Sequence, residues 1–582
     1  MAETEAVLIP TPTLDATLPR RYADFDTLVE AVEYAARGKR GVNFYNARAM
    51  LVRTLPYSEL RDEAIQIAHK LSGLGFKKGD RIAVIAETSA DFLIFFIGCQ
   101  YAGILPVPLP LPTSFGARNG YVAQLTNQMQ SCQANAAMAP GYMREILEEA
   151  ADGMDLKFIG TRDEYLATAT DGELDLPSAD DLSYLQYSSG STRFPHGVSV
   201  THRSLMANTH GMGYHGVRME DHDRCVSWLP FYHDMGLVGT FLAAVTCQLT
   251  TDYIATEDFA RRPLSWLRVM SENKGTISYS PTFGFDICAR RIGQKAAEIK
   301  ELDLTSWRIA GIGAEMIRPD VMREFHKTFA VTGLSENIFL PSYGLAECTL
   351  GVSFGDVGKG IEIDLVEEAL LAGDRHVLVS GNKEDARKRE VVNCGRPLPE
   401  YELEIRDEDG TAQAERYVGR IFVRGPSVMK EYFNDPETTA AILKDGWLDT
   451  GDMGYMRGGY LYIVGRAKDM IIVNGKNHWP QDIEWAAEQF PGVKNGDIAA
   501  ISIPGENAEE VPMILAQCRV SGAGERLKFA DSLKRHVQST TGVNIMVELV
   551  GPRALPRTSS GKLSRTKARQ QYLSGGLRAL AS

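Results

Sequence analysis

Segments with a helical spacing of apolar residues, such as Tyr57 to Leu74, alternate with short apolar runs such as Arg81 to Ala86. The alternation recurs around Arg224 to Trp228, Thr276 to Ser280 and Ser306 to Ile312. It predicts an α/β fold with largely parallel sheets, in which ligands sit on loops that follow strands. The dipeptide Gly79-Asp80 is expected to end the first helix. From about Val391 the texture changes, and Tyr401 to Arg406, Gly419 to Arg424 and Tyr460 to Val464 predict short strands in a β-rich subdomain over about 391–466. A second change comes after Gly465-Arg466-Ala467-Lys468-Asp469, leaving enough chain over 467–582 for a separate small domain.

At 582 residues the chain exceeds a single ordinary core, so several structural units are expected. With 44% hydrophobic and 24% charged residues, it has the composition of a globular protein, not a disordered one. The net charge of −13 argues against nucleic acid or an anionic membrane as a general partner. Eight cysteines stand singly, without C-x-x-C pairs, which suits reduced thiols better than zinc or disulfides. No basic region followed by an apolar run opens the chain, and the expected location is cytoplasmic. Phe92 to Leu111 is the most apolar stretch, but Gln100, Pro106, Pro108 and Pro110 interrupt it, so no stable membrane insertion is expected. It reads instead as a buried helix from Phe92 to Tyr101 capped by Asp91, then an extended segment from Ile104 to Leu109. Gly358 to Arg389 reads as a flexible region.

The loop Tyr187-Ser188-Ser189-Gly190-Ser191-Thr192-Arg193-Phe194-Pro195-His196-Gly197-Val198 comes after a strand pattern at Leu182 to Gln186. Its glycines allow close backbone approach, and its amides and hydroxyls offer donors to phosphate. The spacing is not that of a Walker A loop. By itself such a segment is an ordinary surface turn; four segments further along the chain give it significance. In order, they are Pro341-Ser342-Tyr343-Gly344-Leu345-Ala346-Glu347, Trp447-Leu448-Asp449-Thr450-Gly451-Asp452, Gly465-Arg466-Ala467-Lys468-Asp469 and Pro556-Arg557-Thr558-Ser559-Ser560-Gly561-Lys562.

Together these five segments resemble the motifs of the adenylate-forming superfamily, which contains acyl-CoA ligases, peptide-synthetase adenylation domains and luciferases. The resemblance runs over essentially the whole chain. It implies a large N-terminal domain over 1–466, built of two packed αβ subdomains and the β-rich subdomain, with a mobile α+β lid over 467–582. It also implies ATP and Mg²⁺. Ser188, Ser189, Gly190, Ser191, Thr192 and Arg193 would hold phosphates, with Thr192 and Glu347 on the metal. Gly313, Ala314, Glu315, Ser342, Tyr343 and Gly344 would surround the nucleotide, and Asp452 and Arg466 would reach the ribose or phosphate. Lys468 would be the pivot of the lid, and Lys562 would enter the site during adenylation.

Joining a carboxylate to an α-phosphate brings anions together, so positive charge is needed where negative charge builds up, as Lys562 and Mg²⁺ would supply. In the family scheme the carboxylate attacks phosphorus in line and no protein nucleophile is required. Trp228-Leu229-Pro230-Phe231-Tyr232-His233-Asp234-Met235-Gly236-Leu237 is similar to the family's acyl-site motif, placing His233 near the carboxylate.

Three features resemble the fatty acyl-AMP ligase branch, whose members pass the acyl group to the phosphopantetheine of an acyl carrier protein. They are the segment from Leu229 to Leu237, the segment Asn474-Gly475-Lys476-Asn477-His478-Trp479-Pro480-Gln481-Asp482-Ile483-Glu484, and the 45 residues between Glu347 and Asn393. That length is similar to the branch's insertion, about 355–390 here, which limits lid rotation; the plain alternative is a variable surface loop. The expected substrate is a medium- to long-chain fatty acid. A long-chain acyl-CoA ligase shares every adenylation motif, and a non-catalytic acyl or nucleotide sensor would keep the fold without Glu347, Asp452 and Lys562 all in place. Arg193 suits the acyl-AMP branch, while His196 stands where the superfamily commonly has lysine.

Overall fold

The computed structural model describes residues 12–15, 17–112, 118–168, 171–188, 195–292, 299–367, 371, 388–473, 476–505, 510–558 and 562–580. It is a mixed α/β architecture. The largest sheet has nine strands in the order Arg396–Pro397, Gly351–Phe354, Phe339–Gly344, Ile309–Ile312, Ile277–Ser280, Arg224–Ser227, Thr250–Ile254, Gly41–Tyr45 and Leu51–Pro56. Its interior pairs are parallel, and antiparallel strands close both edges. A second, all-parallel sheet orders Leu105–Leu109, Arg81–Ile85, Ala136–Met138 and Phe158–Gly160. Leu105–Leu109 carries two prolines because it is an edge strand, where a missing N–H costs no ladder bond.

The apolar stretch before that edge strand is the helix Ala90–Tyr101, with every residue but Asp91 buried. Its cap is Ser89, not Asp91: the Ser89 hydroxyl accepts from the Phe92 amide at 3.4 Å. Asp91 instead faces outward from the first turn, 3.0 Å from the Arg162 guanidinium. Gln100 is tolerated in this core because both ends of its amide are used. Its Nε2 donates to the Ser183 carbonyl at 2.9 Å, and its Oε1 accepts from the Ser183 hydroxyl at 2.7 Å. The preceding helix, Tyr57–Gly73, stops six residues before the expected Gly79-Asp80, at a Leu74 cap and a left-handed Gly75 (φ 79°).

Tyr187 to Val198 follows the strand Leu182–Tyr187, where the sequence pattern placed one at Leu182 to Gln186. It joins two antiparallel strands, Leu182–Tyr187 and Gly197–Thr201, closed by a Ser188 amide bond to the His196 carbonyl at 3.0 Å. Residues 189–194, which include Ser189, Gly190, Ser191, Thr192 and Arg193, lie outside the described residues.

A five-stranded antiparallel sheet contains Glu402–Arg406, Gly419–Arg424, Leu443–Lys444, Trp447–Arg457 and Tyr460–Arg466. The Thr450-Gly451-Asp452 segment is no free turn. It is the middle of the long Trp447–Arg457 strand, bent where Gly451 adopts φ 72° beside a register shift in the neighbouring ladder. Beyond Arg466 come the hairpin Ile471–Val473 and Lys476–His478, a sheet of Ile498–Pro504, Glu510–Gln517 and Met546–Val550, and the helices Pro480–Glu488, Ala523–Thr541 and Arg565–Leu573. No helix among the described residues is long and apolar enough to cross a membrane. All eight cysteines are buried and unpaired.

The Gly358 to Arg389 region is not loose throughout. Ile363–Glu367 pairs antiparallel with Lys388–Val392, and residues 368–370 and 372–387 lie outside the described residues. Val366, Leu371 and Val391 share one buried cluster with Met453, Tyr455, Tyr462 and Val464 of the five-stranded sheet and with Trp479. Alternation of side chains along two short strands explains the packing, since Val366 and Val391 turn inward while Leu365 is exposed. Asp364 is buried too, held by the Tyr455 hydroxyl at 2.9 Å and the Arg457 guanidinium at 2.6 Å.

Candidate functional site

One cavity of about 680 Å³ opens between the C-terminal edge of the large sheet, the five-stranded sheet and the elements beyond Arg466. Strand ends aim the polar groups into it. The Phe339–Gly344 strand delivers Ser342, Tyr343 and Gly344, and the turn of Ala346–Cys348 delivers Glu347. Gly313 and Ala314 come directly after Ile309–Ile312. Ala314 takes a left-handed φ of 68°, and a Cβ at Gly313 would lie 3.0 Å from the Ser342 carbonyl oxygen. Ser188 and His196 border the cavity from the hairpin, and Lys562, Arg466 and Lys468 border it from the C-terminal side.

Of the residues marked in the sequence, Glu315 and Asp452 stand just behind this lining. Glu315 accepts from the Phe283 amide at 2.9 Å; burial raises its carboxyl above the usual range, and Lys562 opposes that shift. Asp452 is buried and accepts from the Tyr343 hydroxyl at 2.8 Å and from Arg466 Nε at 3.0 Å. The expected ribose acceptor therefore already holds two protein donors. A carboxylate has about four acceptor positions, which leaves capacity for further donors. Tyr343 is buried, and burial first, then the Asp452 charge, pushes its phenol well above the ordinary value.

Lys562 is half-buried, with its backbone pinned. Its amide donates to the Thr558 hydroxyl at 3.2 Å, and its carbonyl accepts from the Thr558 amide at 2.8 Å. Residues 559–561 lie outside the described residues. Desolvation pushes the Lys562 ammonium below its usual value, while the Glu315 and Asp234 carboxylates act to raise it. Burial likewise acts to raise the Asp234 carboxyl. His233, Lys562 and the Met235 amide outweigh it, so Asp234 stays below the usual range. His233 Nδ1 lies 2.6 Å from Asp234 Oδ1, at the start of the short Asp234–Gly236 helix. Lys468 sits in the Ala467–Asp469 turn, its ammonium lowered by burial and then by Arg466. Arg466 is raised, chiefly by Asp452.

Glu347 is the one marked metal ligand among the described residues. Its Oε1 accepts from the Tyr432 hydroxyl at 2.7 Å, and burial raises its carboxyl. No cluster of three or more His, Cys, Asp or Glu side chains able to hold a metal occurs among the described residues. The Glu347 carboxylate, facing the cavity with Asp234 and Asp449, suits Mg²⁺, which keeps waters and takes one or two carboxylates together with substrate phosphates. His196, to which the motifs assign no part, has one here. Its Nδ1 lies 2.9 Å from Asp435 Oδ2, and its ring lies 4.8 Å from that of Tyr432. Tyr432 and Asp435 were missed in the sequence because nothing in their spacing marks them. Asp234 was legible as the neighbour of His233.

The C-terminal elements close on the cavity through polar and apolar contacts. Arg389 Nε lies 3.1 Å from Asp482 Oδ1, and Arg389 Nη2 donates to the Val464 carbonyl at 2.9 Å. A Cβ at Gly465 would meet the Trp479 ring at 2.5 Å, so only glycine permits the indole to lie against the chain there. Arg565 grips Glu484 with two guanidinium nitrogens, at 2.8 and 2.7 Å, and Asp469 at 2.9 Å.

Arg318, at the foot of the Pro319–Phe329 helix, reaches across to Glu488 at 2.5 Å. Burial raises Glu488 to about 7, against the opposing effect of Arg318. Packed in this way, Glu488 binds a proton up to a higher pH than an exposed glutamate, whose ordinary pKa is about 4.3. The packing of Glu488 against Arg318 is therefore most favoured below the exposed value and loses strength as pH rises through about 7. The shift corresponds to a few kcal/mol, on the order of 3. Limited proteolysis of the 466–480 connection should accelerate from pH 5 to pH 8, and Glu488→Gln should flatten that dependence. A wild-type pH profile as flat as the variant's would contradict the assignment.

Residues 35–433 match the family described as AMP-binding enzyme. A protein of Caulobacter vibrioides named "Putative acyl-CoA synthetase" is 44% identical, over 98% of this chain and 99% of its own length. JamA of Moorena producens, named a medium-chain-fatty-acid–[acyl-carrier-protein] ligase, is 28% identical over 95% of this chain and 96% of its own. A solved structure from work on fatty acyl-adenylate ligases of E. coli and L. pneumophila superposes with a TM-score of 0.91. It is 43% identical and covers 96% of this chain and 100% of that one.

Proposed function

We propose, since this chain belongs to the AMP-binding enzyme family and to its fatty acyl-AMP ligase branch, that it couples ATP to a medium- or long-chain fatty acid and passes the acyl group to an acyl carrier protein. The observation that carries the adenylation step is the single cavity that gathers Lys562, Arg466, His233, Tyr343 and Glu347. The fatty carboxylate oxygen bonds to the α-phosphorus as the bond to pyrophosphate breaks, and pyrophosphate leaves toward the Tyr187 to Gly197 hairpin. Lys562 offsets charge at the reacting phosphate, Arg466 and Asp452 hold the nucleoside side, and His233, oriented by Asp234, faces the carboxylate. Mg²⁺ on Glu347 would neutralise phosphate charge. In the second step the phosphopantetheine sulfur attacks the acyl carbonyl and AMP departs. The organisation read as 1–466 and 467–582 belongs to this proposal, with Lys468 as the pivot.

The choice of carrier protein over CoA is supported by the Ile363–Glu367 and Lys388–Val392 hairpin. It ties the insertion to Trp479 and Asp482, beyond the hinge, and so restrains rotation of the lid. JamA's name points the same way, and the Caulobacter protein's name favours the second reading, a fatty acyl-CoA ligase. Mass spectrometry of products formed from ATP, Mg²⁺ and lauric acid separates the two. Supplied with phosphopantetheinylated carrier protein, the enzyme is expected to yield acyl carrier thioester. With CoA it is expected to stop at acyl-adenylate. Efficient acyl-CoA formation would overturn the carrier assignment while leaving adenylation intact.

A further inference from the structure

The apolar end of the cavity is built by two π-helical turns, Gly211–Gly216 and Leu237–Leu242. Residues two apart on a helical turn do not share a face. Met212 points into the cavity, whereas Tyr214, on the same turn, is 53% exposed and borders a surface recess of about 440 Å³. One residue borders both spaces, Met219, only 6% exposed.

The backbone around Met219 is held on both sides. Its amide donates to the Gly213 carbonyl at 2.8 Å, and its carbonyl accepts from the Tyr22 hydroxyl at 2.9 Å. Arg218, in a left-handed φ of 51°, is fastened by an Arg308 bond to its carbonyl at 2.9 Å. The thioether lies over Gly213, where an added Cβ would come within 3.5 Å of the sulfur. A methionine is unbranched, with three rotatable bonds. With the backbone anchored, any adjustment at this position falls to the side chain. Outside, the Tyr22 and Tyr214 rings meet edge to face with centroids 5.1 Å apart and offer the recess two aromatic faces, beside the polar groups of His215, Arg218 and Glu220.

We propose that Met219 is a movable stop at the end of the acyl cavity, and that the recess between Tyr22 and Tyr214 receives the terminal methylenes of acyl chains too long for the cavity. The proposal rests on the fatty-acid reading above. Each methylene that gains cover in the recess strengthens binding roughly fourfold, so a swung stop favours long chains and a fixed one excludes them.

The test is mass spectrometry of acyl-adenylates formed from an equimolar mixture of octanoic, lauric, palmitic and arachidic acids. Met219→Trp should lower the arachidic-to-lauric product ratio by about tenfold or more, and Met219→Ala should raise it by a similar factor. Tyr214→Asp, placed on an exposed side chain so that folding does not confound it, should lower the arachidic product relative to lauric. An unchanged ratio in Tyr214→Asp and in every folded Met219 variant overturns the proposal. No acyl-adenylate of any length from the wild-type enzyme overturns the fatty-acid reading itself, so the two failures are distinct.

Discussion

Lys562→Ala is expected to lower fatty-acid-dependent ATP/pyrophosphate exchange by roughly a hundred- to a thousandfold, the usual loss when one donor to developing charge is removed. ATP binding should change little, because an interaction made mainly in the transition state contributes to kcat and not to ground-state affinity. The structure gives this physical content. The ammonium is half-buried and desolvated, with Glu315 and Asp234 as its charged surroundings, and Thr558 pins its backbone. Arg466 and Asp452 act on it as well, and from the cavity wall its charge faces whatever anion enters. Equal loss of nucleotide affinity, measured by calorimetry with a non-hydrolysable analogue, would show that Lys562 binds ground-state phosphate instead. Exchange at the wild-type rate would remove it from the chemistry.

Glu347→Gln is expected to weaken the Mg²⁺ dependence of the same exchange by more than the loss from Tyr432→Phe, which should be about ten- to a hundredfold as for outer partners of metal ligands. The glutamine keeps an oxygen to accept from the Tyr432 hydroxyl, so the buried hydrogen bond survives and the lost quantity is charge. The phenylalanine variant keeps the carboxylate but frees its orientation. Magnesium titration of exchange rates orders the two. If Glu347→Gln left the half-saturating Mg²⁺ unchanged, the carboxylate would be structural, held only to anchor Tyr432 beside His196.

Lys562, Asp452 and Tyr343 were visible in the sequence because each lies in a short motif whose spacing is local. The same holds for the α/β alternation, since Arg81–Ile85 and Arg224–Ser227 are strands where apolar runs predicted them. The cap at Ser89 was misplaced by two residues, because both serine and aspartate can cap and only the observed bond to Phe92 decides between them. The region from Gly358 to Arg389 read as loose because five-residue strands have too few positions to show a clear period. Its order comes from burial against Trp479 and the five-stranded sheet, far along the chain.

The sequence by itself determined the class of fold and the order of the motifs, because a periodic face or a glycine-bearing loop is encoded within a few neighbouring residues. Tertiary structure alone decided what those groups touch. Asp452 meets Tyr343 across 109 positions, His196 meets Asp435 across 239, and Arg318 meets Glu488 across 170. Contacts at such separations arise from how packed layers bring strand ends together, and no local pattern records them. The position of Met219 between cavity and recess is of that kind: methionine at 219 is ordinary in the sequence, and it becomes a wall only once two π-helical turns are folded around it.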